Sequence, residues 1–297
     1  AAQTNMPCTD MNRTIVENIV HAVRARIPLG FEHHRGPQPW GGWDRAPLDS
    51  PPVRAELDSA RRQLGTLGGG NHFLEVQAGD DGLIWLMIHS GSRNFGLKIA
   101  EHYHRMALRI CDDHKEPLPD KDLAWLPRDA VKAQEYLNAM NFALAFAREN
   151  RARMMEVFSE IVRGCTQCRI EQTIDIHHNY CAEEKHFGRD VLVHRKGATS
   201  AMKGQTGIIP GSMGAPSYIV RGLGNPESFM SCSHGAGRRM GRNEACRTLS
   251  VEDCNKAMAG IVHGQWSRDR KGHLDVSEAP QAYKDIEQVM AAQSDLV

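Results

Sequence analysis

Directly after the turn signal Gly79-Asp80-Asp81-Gly82 the chain reads Leu83-Ile84-Trp85-Leu86-Met87-Ile88 before reaching His89. A strand with one wet face would alternate apolar and polar residues, so an uninterrupted apolar run predicts a strand buried on both faces. Residues 73–76 lie on the other side of the turn, which makes the pair a hairpin. Helical spacing of Ile15, Ile19, Val20 and Val23 predicts a helix over 11–27, and the stripe Leu137, Met140, Leu144, Met155 and Phe158 predicts a long core-packing helix over about 130–162. Short strands are expected at 173–177 and 191–194. The stretches 30–52 and 204–237, rich in Gly with Pro and Trp or with Ser, read as irregular loops.

At 297 residues and 41% hydrophobic content the chain can bury one large domain or two merged ones. Its 36 basic and 36 acidic side chains cancel, so any nucleic-acid contact must come from a local basic surface. No run approaches the roughly 20 apolar residues of a membrane span and no secretory pattern opens the chain, so a cytoplasmic protein is expected. Eight cysteines are scattered along it, and the lone pair Cys165 and Cys168 lacks the second pair or nearby histidines of a zinc finger. Reduced thiols are expected.

Fifteen histidines and 27 glycines exceed what a routine core needs, and they cluster together. His72 follows Gly68-Gly69-Gly70-Asn71, His89 ends the apolar strand and opens Ser90-Gly91-Ser92-Arg93, and His177 and His178 are expected at the end of another strand. Each alone is an ordinary structural residue. Several imidazoles delivered by strand ends, however, can form one nitrogen-rich metal site suited to zinc, manganese, iron or nickel. Two glycine-serine loops follow, Pro210-Gly211-Ser212-Met213-Gly214-Ala215-Pro216-Ser217 and Ser231-Cys232-Ser233-His234-Gly235-Ala236-Gly237-Arg238. Small residues let backbone N–H groups approach phosphate oxygens, and Lys196, Arg221, Arg238 and Arg239 are cations suited to phosphates. Neither loop is a P-loop or a dinucleotide fingerprint, and no GxSxG elbow exists. His234, flanked by small residues, can act as a nucleophile, a ligand or a general acid; residue chemistry leaves the three open.

Taken in order, Leu64-Gly65-Thr66-Leu67-Gly68-Gly69-Gly70-Asn71-His72-Phe73-Leu74-Glu75, His89-Ser90-Gly91-Ser92-Arg93, His177-His178-Asn179-Tyr180, Arg195-Lys196-Gly197-Ala198, Gly211-Ser212-Met213-Gly214, the His234 loop and Ala282-Tyr283-Lys284-Asp285-Ile286 resemble the successive signatures of the RtcB RNA ligases. The resemblance implies an α/β fold of the family's own, with mixed sheets, surrounding helices and a central metal and nucleotide cleft, built as one catalytic domain over 1–297. It implies manganese, two ions in the complete protein, with His72, His89 and His178 as ligands and His177 beside them. It makes His234 the residue that becomes linked to GMP. The guanylate is then expected against Asn71, His72, Phe73, Leu74, Glu75, His178, Asn179, Pro210, Gly211, Ser212, Met213, Ser217, His234, Gly235, Ala236, Gly237 and Tyr283, with Arg93, Lys196 and Arg238 assisting catalysis or holding RNA phosphates.

Two departures accompany the match. The family's upstream Asp-x-x-Cys-Gly metal-binding segment and its C-terminal guanine-contacting lysine are missing, and a trimmed version of a longer protein is expected. The implied reaction uses GTP to guanylylate His234, passes GMP to an RNA 3′-phosphate or 2′,3′-cyclic phosphate end, and seals that end to a 5′-hydroxyl. A monomer acting in RNA splicing or repair is expected. The rival readings are a metal-dependent phosphoesterase and a non-catalytic RNA-end-binding paralogue.

Overall fold

The computed structural model describes residues 1–115, 117–264, 266–268 and 272–297. It is a mixed α/β structure in which ten strands form one four-stranded and three two-stranded sheets among the described residues. The chain divides into two compact units. One comprises Ala1–His21, Val76–Leu86 and Cys168–Val297, the other Ala22–Glu75 and Met87–Gln167.

The second unit is helical. Helix α1 (Arg13–Arg26) enters it, followed by α2 (Pro51–Gln63), α3 (Phe95–Asp113) and α4 (Val131–Thr166). The predicted helices over 11–27 and 130–162 are thus present, whereas α2 and α3 lie where the sequence raised no helix. Pro51 and Pro52 occupy the first turn of α2, where a missing N–H is harmless, and end the irregular stretch at 30–50. Val53, Ala60, Leu64, Phe95, Ile99, Tyr103, Phe142 and Phe146 form its core. Trp40 and Trp43 fold the loop against that core through their contacts with Phe142 and Phe146.

In the first unit, β1 (Ala2–Pro7) pairs antiparallel with β3 (Leu83–His89) and with β4 (Ile170–Thr173), and β2 (Phe73–Ala78) completes the order β2-β3-β1-β4. The predicted hairpin is therefore correct. Its second strand is less enclosed than the apolar run implied: Ile84, Leu86 and Met87 are buried, while Leu83 and Trp85 are only partly covered. The indole N–H needs a polar partner, and the Asp81 carboxylate at the turn accepts it at 3.1 Å, which keeps the ring at the edge. The strand expected at 173–177 ends at Thr173. Its last exchange with β1 joins Ile174 to Ala1, so His177 and His178 lie in the segment before the next strand instead of ending one.

That next strand, β5 (Asn179–His186), forms a hairpin with β6 (Arg189–Lys196), which contains the predicted 191–194. Then β7 (Ala198–Ser200) pairs with β10 (Ser231–Ser233), and β8 (Thr206–Ile209) with β9 (Tyr218–Arg221). Short helices α5 (Arg242–Thr248), α6 (Val251–Ala257) and α7 (Ile286–Ala291) follow. Ile286 on α7 packs against Ile209, Cys232 and Ala236 in a core of its own.

A buried ion pair ties the β5–β6 hairpin to the approach to β10. Arg195 reaches both oxygens of Glu184, at 2.5 and 2.9 Å, with side chains only 1% and 7% exposed. It also donates to Ser231 Oγ at 2.9 Å and Phe229 O at 3.0 Å. The Arg195 hydrogen bonds hold the Glu184 carboxyl below its ordinary range, so its stabilising contribution is present above that range and lost as pH falls toward the depressed value. Glu184→Gln should unfold with about 3 kcal/mol less stability at pH 7, because it leaves Arg195 buried and uncompensated. Denaturant titrations should show this difference narrowing below the ordinary carboxylate value of 4.5. A difference independent of pH would assign the loss to packing instead.

Candidate functional site

The β7–β10 register sets Ala198 opposite Ser233, so Gly197 and His234 face each other just beyond the ladder. His234 Nδ1 lies 2.6 Å from Gly197 O. A carbonyl can only accept, so Nδ1 carries the proton and the lone pair resides on Nε2. Burial holds this imidazole below its ordinary titration range, with the Gly197 bond opposing the shift, which keeps the ring neutral near pH 7. A neutral ring of fixed tautomer is what a nitrogen nucleophile or a metal ligand requires.

Gly197 does more than accept that bond. Its N–H is shared between His178 O and Asn179 Oδ1, both at 2.9 Å. One residue thus couples the entry to β5 with His234, and the His178 and His234 ring centroids come within 4.8 Å. Its φ is +65°, and a Cβ here would lie 3.2 Å from His234 Cε1. Ser233 is gripped from the far end of the chain: Gln293, itself buried, accepts from Ser233 N at 2.9 Å and donates to Ser233 Oγ at 3.1 Å.

The two glycine-serine loops meet here. Pro210 to Ser217 connects β8 to β9, and Ala236 N donates to Pro210 O at 3.0 Å. Ser217 Oγ accepts from Gln77 Nε2 at 3.1 Å, and Ser212 and Met213 are half-buried. Gly237 O accepts from Lys284 N at 2.9 Å, and Arg238 bridges antiparallel to Tyr283. Arg238 is engaged with the protein itself: it donates to Met240 O, Ser277 O, Glu278 and the Tyr283 hydroxyl, with its guanidinium 5.0 Å from the Tyr283 ring centre. Burial, together with a hydrogen bond to Glu278, pushes the Tyr283 hydroxyl up to about 12. Lys196 is exposed, and the His177 ring stands 6.5 Å from that of Tyr180.

The second unit carries the other implied residues. His72 Nδ1 lies 2.9 Å from Leu67 O, so the same argument puts its lone pair on Nε2, the arrangement typical of a ligating histidine braced by a carbonyl. The His72 and His89 ring centroids are 6.1 Å apart, and Phe73 stacks on His89 at 5.5 Å. Leu74 and Glu75 are half-buried on β2, and Asn71 is exposed. Arg93 is 9% exposed and donates to Thr66 Oγ1 and Gly30 O, both at 2.8 Å.

Asn150 on α4, wholly buried, holds both site loops of this unit. Its Oδ1 accepts from Gly65 N at 2.7 Å and Thr66 N at 3.1 Å, and its Nδ2 donates to Thr66 O at 3.1 Å and Gly91 O at 3.2 Å. Among the described residues no three His, Cys, Asp or Glu side chains gather closely enough to hold a metal ion. Each unit does present a histidine pair, and the imidazole chemistry and tautomer of His72 fit a divalent transition metal. Sequence reading missed Asn150, Gln293, Glu278 and the Gly197 carbonyl. Of these only Gly197 belongs to a family signature, Arg195-Lys196-Gly197-Ala198.

The family model for tRNA-splicing ligase RtcB matches residues 41–297. The RNA-splicing ligase RtcB of Escherichia coli K12 is 40% identical over all of this chain, which spans 77% of that protein. The RNA-splicing ligase RtcB of Mycobacterium tuberculosis is 35% identical over 77% of this chain and 60% of its own length. The tRNA-splicing ligase RtcB of Pyrobaculum aerophilum is 34% identical over 85% of this chain and 60% of its own length.

Because Gly197 has positive φ and touches the His234 ring, Gly197→Ala should lower stability by about 1–2 kcal/mol and displace the imidazole. Nitrogen NMR of the His234 ring should then show loss of the fixed Nδ1–H tautomer. An unchanged ring signal would mean that Gly197 does not set it.

Proposed function

This chain belongs to the RtcB family, and from that premise we propose that it is an RNA ligase that uses GTP to join a 3′-phosphate or 2′,3′-cyclic phosphate end to a 5′-hydroxyl, with GMP carried on His234. The observation that carries the reading is the His234 Nδ1 bond to Gly197 O, which presents Nε2 as a neutral nitrogen nucleophile beside two loops suited to phosphate. Nε2 attacks the α-phosphorus of GTP, the P–N bond forms, and the bond to pyrophosphate breaks. The ring then carries positive charge, and Gly197 O, already bonded to Nδ1–H, stabilises it. GMP next passes to an RNA 3′-phosphate, a cyclic end having first been opened. The 5′-hydroxyl attacks the activated phosphorus and GMP leaves, so the junction keeps the phosphate that the 3′ end brought.

Gly211 and Gly235 let the two loops close tightly, since a Cβ at Gly211 would run into Pro216 O and one at Gly235 would lie 3.2 Å from Pro210 O, and the hydroxyls of Ser212 and Ser217 offer donors to phosphate. Arg238, anchored to Glu278 and Ser277, serves by fixing Tyr283 against the nucleotide. Bound manganese, held by His72, His89 and His178, would supply Lewis-acid charge at the phosphates. No described helix is long and apolar enough to cross a membrane. A cytoplasmic location and a monomeric state are part of the same proposal.

In the intact protein, His234→Ala should bind manganese nearly as tightly as the parent yet retain no acid-labile label from GTP. It should still seal RNA whose 3′-phosphate is already guanylylated. Surviving label would move the nucleophile to another histidine. A phosphoesterase or an RNA-end binder would retain no label even in the parent.

Glu75 can accept from guanine N1–H and the amino group, a pattern adenine lacks. Unlabelled GTP should therefore compete with labelling far better than ATP, and Glu75→Gln should erode that preference by about tenfold or more. Equal competition by ATP against the parent rules out this base contact.

A further inference from the structure

Phe31 is 99% exposed, the barest large apolar side chain among the described residues. A single exposed phenyl on a loose loop would mean little. Here the backbone on either side of the phenyl is tied down. Leu67 N donates to Pro28 O and Gly30 N to Gly68 O, both at 2.9 Å, and Arg93 Nη2 donates to Gly30 O at 2.8 Å. Beyond the turn, which Glu32 N closes onto Leu29 O, His34 N donates to Arg62 O at 3.0 Å. A Cβ on Gly69 would lie 3.7 Å from Gly30 Cα, so the turn abuts the glycine loop that leads into His72.

Arg93 is the strut of this arrangement. Its guanidinium is nearly buried and spans Thr66 and Gly30, so its cation braces the turn. The surroundings suit a polyanion: Arg35 and Arg62 are exposed where the turn is fastened to α2, and Glu32 is the turn's lone carboxylate. The fold thus fixes the backbone of a turn that carries a bare aromatic side chain, with Arg35 in the same segment and Arg62 bonded to it through its carbonyl, against the loop bearing a proposed metal ligand.

We propose that Phe31 is a stacking platform for an unpaired nucleobase near the RNA end that this site handles, with Arg35 and Arg62 receiving adjacent phosphates. Single-stranded RNA exposes bases that stack on aromatic faces whatever their identity, so the contact would serve RNA ends of varied sequence. The inference rests on the RNA-ligase reading above.

The test uses Phe31→Ala and Phe31→Trp in the intact protein, with a short single-stranded RNA ending in a 3′-phosphate and a set of the same RNA carrying an abasic site at each terminal position in turn. Fluorescence anisotropy should show Phe31→Ala weakening the normal RNA by about 5- to 100-fold while Phe31→Trp retains binding. At one abasic position, parent and Phe31→Ala should bind alike. Melting temperature and GTP labelling should stay at parental values in Phe31→Ala. Unchanged binding, a loss identical at every abasic position, or a lowered melting temperature overturns the proposal. Failure of the parent to take label from GTP sinks the ligase reading separately, since the binding comparison uses no nucleotide.

Discussion

A backbone that must approach phosphate has to shed its side chains, and a backbone without side chains cannot hold its own shape. The glycine-rich loops of this protein, which the proposed function sets against phosphate, keep their shape by borrowing hydrogen bonds from buried polar groups elsewhere. Asn150 satisfies four backbone groups of two loops from the middle of a 36-residue helix. Gln293 does the same for Ser233, and Arg195 for the approach to β10. Each of these side chains lies in a setting where an unmade hydrogen bond is expensive, which makes the loop geometry stiff.

The same economy governs the histidines. His72 and His234 each present Nε2 because a main-chain carbonyl takes the Nδ1 proton, Leu67 in one case and Gly197 in the other. Backbone carbonyls make good orienters for this purpose: they carry no titratable proton, so the tautomer stays fixed over a wide pH range. The cations follow a different logic from the one their sequence positions suggest. Arg93 and Arg238 are spent on internal acceptors, and Lys196, on the edge of the β5–β6 hairpin, is exposed. Arg93 and Arg238, which look ready for phosphate in the sequence, thus shape the protein's own loops.

Elements with strong local signals were legible before any coordinates. The hairpin around residues 79–82, the long helix and the first helix all follow from apolar spacing and turn residues, which act over a few positions. Helices α2 and α3 carry the same kind of signal, Val53, Leu57 and Ala60 in one and Phe95, Ile99, Tyr103 and Ala107 in the other, and these spacings are faces packed with Phe142 and Phe146. The strand expected at 173–177 failed for a tertiary reason: alternating isoleucines promise a strand, but a strand needs a partner, and β1 provides one only as far as Ile174.

Sequence by itself determined the family, through motifs whose order survives without knowledge of contacts, and with it which histidines and glycines those motifs single out. Those residues are constrained by their own chemistry: an imidazole nitrogen, or the absence of a Cβ. What only the tertiary structure decided is which atoms they use. The tautomers of His72 and His234, the double duty of Gly197, the commitment of Arg93 and Arg238 to internal bonds, and the grip of Asn150 and Gln293 all join residues far apart in the chain. No local pattern encodes such pairings, because a hydrogen bond depends on where the fold brings donor and acceptor and not on their spacing in sequence.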